Sequence, residues 1–272
     1  MKTAVITGCD SGIGKSLCRV FADNGYAVII SYLLENPYPG ENNILARKMD
    51  LREESDIAAF SSFVSGHCSQ GSSLDYFINN AGIGTGGPFE NLPLELYREV
   101  FEVNFFGLLS VTRKVLSDLI RDGGRLVVIG SMAGRIALPF MSPYVSTKFA
   151  LEGWCDSIRR ELNPFGVKTI LIEPAGIATP IWNKSIEQDP SFVDEKYRHS
   201  LEKFRENFLR KGNEGMDTDA AARQIFRFIT RKNPGARYIV ARNRLSSFIQ
   251  LCVPNRLLDR AIAGMFDMRY HE

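Results

Sequence analysis

The chain has 272 residues, of which 44% are hydrophobic and 24% charged, enough to build one domain around a single core. Its 33 basic and 31 acidic residues leave a formal net charge of +2, which provides no positive field for nucleic acid and excludes it as an expected partner. The five cysteines are scattered without a C-x-x-C pair, so neither a disulfide framework nor a metal site is expected.

The amino-terminal residues lack a targeting pattern. An apolar segment at 3–7 runs directly into Gly8, without the apolar stretch and cleavage site of a secretory signal. Elsewhere no apolar run reaches the roughly 18 residues that a membrane span requires. We therefore expect a cytoplasmic protein without membrane contact.

Alternating apolar patterns predict the fold. Runs of β-branched and aliphatic residues are typical of parallel strands buried on both faces, and apolar residues spaced three and four apart indicate helices. In chain order the expected strands are 3–7, 27–31, 43–50 (the weakest), 75–79, 125–130, 168–173 and 237–241, and the expected helices are 16–24, 54–65, 94–121 and 142–163. This alternation predicts one α/β domain over 1–272, a Rossmann-type, doubly wound parallel sheet of about seven strands with helices on both faces.

Two later segments depart from the alternation. A charged, aromatic segment at 174–216 predicts one or two helices over the carboxyl edge of the sheet, where open α/β folds bind ligands. We expect a small helical substrate lid there, with a plain structural insertion as the alternative. The amphipathic segment 243–272 predicts a helical tail that packs on its own domain, on a partner subunit or on a membrane surface.

The first strand ends in a glycine-rich turn that leads directly into a helix. Glycine lets the backbone turn tightly and approach a pyrophosphate, whose charge then lies at the helix amino terminus. The spacing is G-x-x-x-G-x-G. We expect this turn to bind a dinucleotide through Gly8, Asp10, Ser11, Gly12, Ile13 and Gly14.

A tyrosine and a lysine lie four residues apart in the last long predicted helix. This spacing places Tyr144 and Lys148 on one face, one turn apart. An ammonium beside a phenol favours the phenolate, so we expect the pKa of Tyr144 to be lowered. The phenol would then exchange a proton near neutral pH.

These motifs jointly resemble the short-chain dehydrogenase/reductase family. The resemblance rests on T-G-x-x-x-G-x-G from Thr7, N-N-A-G at 79–82, V-N-F-F-G around Asn104, Ser131 after the fifth strand, and Y-x-x-x-K at 144–148. It implies an NAD(P)-dependent oxidoreductase that transfers hydride between nicotinamide and an alcohol or ketone. In this interpretation Tyr144 is the general acid and base, Ser131 binds the substrate oxygen, Lys148 binds the nicotinamide ribose, and Asn104 holds a water in a proton relay.

The resemblance also implies further cofactor contacts. Asp50 corresponds to an adenine-contacting acid, although a strand-end cap is the alternative. A P-G-x-x-x-T nicotinamide clamp corresponds to residues 174–179, with Ala175 in place of the glycine. The implied contacts are Asp50, Leu51, Asn80, Ala81, Gly82, Pro174, Ile177 and Thr179.

The choice between NAD and NADP depends on the end of the second strand. Tyr32 and Leu33 lie there, so neither the usual ribose-binding acid nor the phosphate-binding base is present. Asp10, in the loop beside the expected adenosine ribose, would repel a 2′-phosphate. We therefore favour NAD over NADP, and we count Tyr32 among the cofactor contacts.

The surroundings of the catalytic pair suggest the substrate class. G-C-D-S-G and S-P-Y-x-x-x-K-F-x-L-E resemble the branch of retinol, hydroxysteroid and 3-hydroxybutyrate dehydrogenases. Leu138, Met141 and Trp182, beside Ser131 and Tyr144, favour a hydrophobic secondary alcohol or ketone. Alternatives are a 3-ketoacyl or other carbonyl reductase and a non-catalytic dinucleotide-binding protein. By analogy with the family we expect a homo-oligomer, dimer or tetramer, formed through 94–121 and 142–163.

Overall fold

The computed structural model describes residues 1–184 and 193–268. Its centre is a seven-stranded, wholly parallel sheet with the order β3-β2-β1-β4-β5-β6-β7. The strands are β1 Lys2–Ile6, β2 Ala27–Tyr32, β3 Ile44–Lys48, β4 Ser73–Asn79, β5 Arg125–Ile129, β6 Lys168–Pro174 and β7 Arg237–Val240. All seven predicted strands are present, and the predicted Rossmann-type fold class is confirmed.

Helices cover both faces of this sheet. One core cluster packs α1 and α8 against one face, and a second packs α2, α4 and α5 against the other. The helices are α1 Gly12–Asp23, α2 Glu54–Cys68, α3 Leu94–Phe101, α4 Leu108–Asp122, α5 Ser142–Leu162, α6 Ile181–Lys184, α7 Glu195–Asn213, α8 Thr218–Ile229, α9 Arg244–Gln250 and α10 Asn255–Met265. Within the described ranges, none has both the length and the apolar character to cross a bilayer.

Two helical predictions needed correction, and one helix was not predicted. The helix predicted over 94–121 is interrupted by a π-helical turn at Glu102–Gly107, which apolar spacing does not reveal because the flanking α-helices keep an apolar face. Helix α1 begins at Gly12, four residues before the predicted start, since a glycine-rich first turn carries no helical signal. Helix α8, which we did not predict, packs on α1.

The strand order creates the crevice in which a ligand can bind. The chain leaves β1 towards β2 on one side, and it leaves the neighbouring strand β4 towards β5 on the other. The two connections diverge at the carboxyl edge, which is where open α/β sheets bind ligands. The glycine-rich turn follows β1 and the N-N-A-G segment follows β4, so the fold brings both motifs to one place.

A third apolar cluster joins the late helices to α5. Phe204 and Phe208 of α7 belong to one buried cluster with Met141 and Val145 at the start of α5, and Phe266 from the tail packs on Phe204 at a ring separation of 5.3 Å. The end of the tail therefore packs on its own domain. A lid at 174–216 stays a prediction, and residues 185–192 of it lie outside the described residues.

We predict that this third cluster unfolds together with the sheet. Phe204 is 1% exposed, so Phe204→Ala should lower the free energy of unfolding by about 3–5 kcal/mol in urea titrations. The matched control is Phe165→Ala, because Phe165 is 58% exposed and its loss should change stability by less than about 0.5 kcal/mol. An unchanged main transition in Phe204→Ala would mean that α7 opens independently of the sheet.

Candidate active site

One cavity of about 830 Å³ runs along the carboxyl edge of the sheet. It extends from the glycine-rich turn to the Tyr144 and Lys148 pair, and most of the predicted site residues line it. The predicted residues that line it are Gly8, Asp10, Ser11, Gly12, Ile13, Tyr32, Asp50, Leu51, Asn80, Ala81, Gly82, Ser131, Leu138, Met141, Tyr144, Lys148, Pro174, Ile177, Thr179 and Trp182. Gly14 and Asn104 lie behind this lining.

The glycine-rich turn is held against the segment after β4 by hydrogen bonds. The Asn80 Nδ2 atom donates to the carbonyl oxygens of Thr7 and Gly8, both at 2.9 Å. In return, Thr7 Oγ1 accepts the backbone N–H groups of Asn80 and Ala81 at 3.0 and 3.1 Å. Asn80 therefore shapes the turn with its side-chain amide, in addition to lining the cavity.

Two glycines in this turn leave no room for a side chain. Gly8 has a φ of +67°, and a Cβ there would lie 2.6 Å from the Cα of Ala81. A Cβ on Gly14 would meet the Asn80 side-chain amide and the Gly8 carbonyl oxygen. Both positions thus require glycine for close backbone approach, as the motif predicts.

The amino terminus of α1 fits an anionic group. Ser11 occupies the N-cap position, where a hydroxyl ordinarily satisfies free backbone N–H groups, yet its side chain makes no capping hydrogen bond. The first amides of α1 thus retain their donor capacity at the positive end of the helix dipole. A pyrophosphate bound between this helix end and the turn would take up these donors.

Asp10 holds the segment that follows β2. Its Oδ1 atom accepts the backbone N–H groups of Leu33, Leu34 and Glu35 at 3.0, 2.6 and 3.3 Å. The prediction placed Asp10 beside the ribose site but did not foresee these bonds. A carboxylate therefore stands at the end of β2 although the strand itself supplies no acid.

Asp50 caps the turn after β3 and also lines the cavity, while its contact with an adenine stays a prediction. Its carboxylate lines the cavity and also accepts the Arg52 backbone N–H at 2.9 Å, which caps the turn after β3. Arg52 forms an ion pair with Asp50 at 2.7 Å and with Glu99 at 3.2 Å, and hydrogen bonds from Arg52 hold the pKa of Asp50 below its ordinary value. Sequence reasoning missed Arg52 and Glu99, which also line the cavity.

The proposed catalytic pair lines the interior of the cavity, where Lys148 is buried and Tyr144 is partly buried. Lys148 Nζ donates to the Ile129 carbonyl oxygen at 3.1 Å and lies 5.5 Å from the centroid of the Tyr144 ring. Burial lowers the pKa of Lys148 to about 8. Burial also raises the pKa of Tyr144, against a smaller lowering by its hydrogen bond with Ser131.

We expected the pKa of Tyr144 to be lowered. That expectation is wrong when only the groups of this chain act on Tyr144. The ammonium attracts the phenolate, but removing a phenolate from water has a larger opposing effect. Desolvation outweighs the other contributions, so the neutral phenol is the favoured form at neutral pH. The proton of Tyr144 is consequently available for donation to a substrate oxygen.

Asn104 is buried within the π-helical turn. Its Oδ1 atom accepts the Ile83 backbone N–H at 2.8 Å, and its Nδ2 atom donates to the Ile83 carbonyl oxygen at 2.9 Å and to Thr147 Oγ1 at 3.1 Å. Asn104 thus joins α5 to the segment after β4. A water-holding role for Asn104 stays a prediction.

The end of the cavity that is predicted to bind substrate is lined by the apolar residues Leu138, Met141 and Trp182. Trp182 donates its Nε1 hydrogen to the Ile177 carbonyl oxygen at 2.5 Å and packs on Phe208 at a ring separation of 4.5 Å. The side chain of Ile177 lies in the core, so only its backbone is suited to a carboxamide contact. Other residues lining the cavity that sequence reasoning missed are Ser247 and Gln250 of the tail, because apolar spacing does not show where a surface helix packs.

A family model identifies the family to which the chain belongs. The model described as short chain dehydrogenase matches residues 2–190. The chain belongs to the short-chain dehydrogenase family. It is therefore an oxidoreductase with a nicotinamide dinucleotide cofactor, and the predicted enzyme class is confirmed.

Similar proteins include members of this family with different named activities. The chain is 34% identical to bovine mitochondrial D-beta-hydroxybutyrate dehydrogenase over 87% of this chain and 76% of that protein. It is 32% identical to an NADPH-dependent 3-dehydrocapnine reductase from Ornithobacterium rhinotracheale, over 96% and 95% of the two chains. A short chain dehydrogenase/reductase from Burkholderia phymatum, solved in complex with NAD, shares the fold with a TM-score of 0.80 at 19% identity, covering 96% and 95% of the chains.

We predict that Gly14→Ala weakens cofactor binding. The added methyl group has to displace Asn80 or the Gly8 carbonyl, which should raise the Kd for NADH about tenfold or more. The measurement is a fluorescence titration with NADH. Gly66→Ala is the matched control, because Gly66 is also helical but has open space around its Cβ position, and an equal loss of affinity in both variants would contradict the prediction.

Proposed function

We propose that the chain interconverts a hydrophobic secondary alcohol and its ketone, with NAD as the preferred cofactor. The observation that carries the proposal is the single cavity that joins the glycine-rich turn to Ser131, Tyr144 and Lys148. Its substrate end is lined by Leu138, Met141 and Trp182, which suits an apolar substrate with one polar group.

The proposed chemistry is a proton transfer coupled to hydride transfer. The bound dinucleotide supplies the hydride in reduction and accepts it in oxidation. In reduction, Tyr144 donates its phenolic proton to the carbonyl oxygen, which becomes the alcohol oxygen. Ser131 hydrogen-bonds the same oxygen while negative charge develops on it.

Lys148 supports this step in two ways. Below its pKa of about 8, its positive charge stabilises the phenolate that remains after Tyr144 has donated its proton. Its ammonium group would also bind the nicotinamide ribose. Buried Asn104, which is bonded to Thr147 on the same helix, would position the proton relay that reprotonates Tyr144.

The preference for NAD is supported by the charge at the end of β2. The Asp10 carboxylate, held there by the amides of Leu33 to Glu35, would repel a 2′-phosphate. The resemblance to an NADPH-dependent reductase does not decide the preference, because similar members of the family use either dinucleotide.

We predict that Tyr144→Phe removes turnover but not cofactor binding. Loss of the proton donor should lower kcat by about 10²-fold or more, while the NADH Kd changes little. A panel containing a hydroxysteroid, a retinol, 3-hydroxybutyrate and a 3-ketoacyl ester, followed by NADH absorbance, identifies the substrate class on which to measure kcat. Tyr197→Phe is the matched control, because the Tyr197 hydroxyl donates to Glu90 on the surface and Tyr197 is not among the residues that line the cavity. Turnover of Tyr144→Phe within a few-fold of wild type would refute the role.

We predict that Asp10→Asn shifts selectivity towards NADP. Asparagine still accepts the three backbone hydrogen bonds but carries no charge, so the ratio of the NADPH Kd to the NADH Kd should fall about tenfold. The measurement is a parallel titration with both reduced cofactors. Asp23→Asn changes the net charge equally at the far end of α1 and should leave the ratio unchanged. A wild-type protein that binds NADPH more tightly than NADH would overturn the preference.

A further inference from the structure

Four charged side chains form a cluster behind the proposed catalytic residues. Arg237 Nη1 lies 2.6 Å from Glu152 Oε2 and 3.8 Å from Glu173 Oε1. Arg135 Nη1 lies 3.2 Å from the same Glu173 oxygen. We call Glu152, Glu173, Arg135 and Arg237 the charged cluster.

The two carboxyl groups of the charged cluster are shielded from water. Glu173 is 2% exposed and Glu152 is 8% exposed. Neither Glu152 oxygen has an aligned hydrogen bond to a described residue, although Arg237 faces it as an ion-pair partner. Buried carboxyl groups are costly unless they are paired or protonated, so the state of this cluster depends on its proton and its two arginines.

Three of the four members of the charged cluster lie on elements that carry or adjoin a proposed site residue. Glu152 follows Lys148 by one turn of α5, and Arg135 ends the short turn that Ser131 begins. Glu173 lies in β6 immediately before Pro174, where the chain leads to the proposed nicotinamide contacts. Arg237, on the edge strand β7, joins α5 to β6.

The packing between these elements is close enough to transmit a small shift. A Cβ at Gly134, in the Ser131 turn, would lie 2.8 Å from the Lys148 carbonyl oxygen and 3.2 Å from Glu152 Cγ. The Ser131 turn therefore rests directly on α5 between Lys148 and Glu152. A change in the separation of Glu152 and Glu173 would move the turn and the strand end relative to the helix.

We propose that the charged cluster is a proton-dependent positioning device that sets the alignment of the Ser131 turn, the Lys148 helix and the Pro174 strand end. This inference rests on the proposed function, because it assigns the cluster a role in holding the cofactor and catalytic residues. Glu152 and Glu173 are positioning residues that do not touch substrate or cofactor. With a proton on Glu152 the two carboxyl groups stay together, and without it they repel each other.

The protonation of Glu152 falls within an accessible pH range. Burial, and next the negative charge of Glu173, raise the pKa of Glu152 to about 7, against the lowering effect of Arg237 and Arg135. The groups that interact electrostatically with it are Glu173 on β6, Arg237 on β7, Arg135 in the turn and Cys155 on α5. Lys148 and Asp156 lie one helical turn before and after it on α5. Burial raises the pKa of Cys155 and ion pairs with Arg237 and Arg159 lower that of Asp156, so neither changes charge near neutral pH.

The experiment measures NADH binding as a function of pH. For the wild-type protein we expect the NADH Kd to rise about threefold or more between about pH 5.5 and about pH 7.5, as Glu152 loses its proton and the alignment loosens. Glu152→Gln keeps the size of the side chain but cannot ionise, so its Kd should stay at the low-pH value throughout this range. Titration of Lys148, near pH 8, should remain visible in both proteins as a separate change at higher pH.

Two further measurements test whether the pH dependence of NADH binding arises from Glu152. Asp118→Asn is the matched control, because Asp118 is also a buried carboxylate, paired with Arg121 at 2.6 Å on α4, and its pH profile should equal that of the wild type. Hydrogen exchange of the wild-type backbone amides at 131–136 and 175–179, corrected for intrinsic rates, should accelerate over the same pH range. This hydrogen-exchange measurement on the wild-type protein tests the inference if Glu152→Gln does not fold.

The outcomes separate this inference from the proposed function. A wild-type Kd that is flat in this range, a Glu152→Gln profile equal to that of the wild type, or unchanged amide exchange would overturn the positioning device. The proposed function fails on different grounds, namely absence of NADH binding or of Tyr144-dependent turnover.

Discussion

The hydrogen bonds between Asn80 and the glycine-rich turn are the constraint on which the site depends. They join the ends of two strands that are neighbours in the sheet but lie about 70 residues apart in the chain. Because the connections after β1 and β4 diverge, side-chain hydrogen bonds are needed to hold the two segments together beyond the strand ends. Asn80 and Thr7 supply that bridge, and they fix the backbone shape that an anionic cofactor requires.

Burial determines the protonation states of the proposed catalytic pair. Removing Tyr144 and Lys148 from water raises the pKa of the phenol and lowers that of the amine, so the two pKa values move apart. The phenol therefore keeps its proton at neutral pH and can donate it to a substrate oxygen. The charged cluster behind them belongs to the same low-dielectric region, where electrostatic effects extend over longer distances than at the surface.

The sequence was most informative at positions where the backbone conformation or close packing allows only one residue type. Gly8 and Gly14 revealed the turn because no other residue fits, and the seven buried strands were readable from their apolar runs. It was least informative about contacts between distant segments. The bonds from Asp10 to the amides after β2 and the ion pairs of Arg52 follow from loop geometry, which apolar spacing does not encode.

The electrostatic environment of buried groups was also not predictable from the sequence. The pKa of Tyr144 moved opposite to the expectation because the depth of burial cannot be judged from the spacing of Tyr144 and Lys148. Likewise, Glu152 and Glu173 resembled ordinary charged positions at a helix surface and a strand end, and their approach depends on how α5 packs on β6. Such pairs of charged groups can be identified only in the folded structure, where packing brings helices and strands together.

The π-helical turn at Glu102–Gly107 also has a consequence for how this chain tolerates length changes. A π turn contains one residue more than the equivalent α-helical turn, and each residue of an α-helix rotates the chain by about 100°. Deleting one residue here could regularise the helix locally, but it would turn Asn104 away from Ile83 and Thr147 while leaving the apolar face of α4 on the sheet. The extra residue therefore lets Asn104 point towards Ile83 and Thr147 without changing how α4 packs on the sheet.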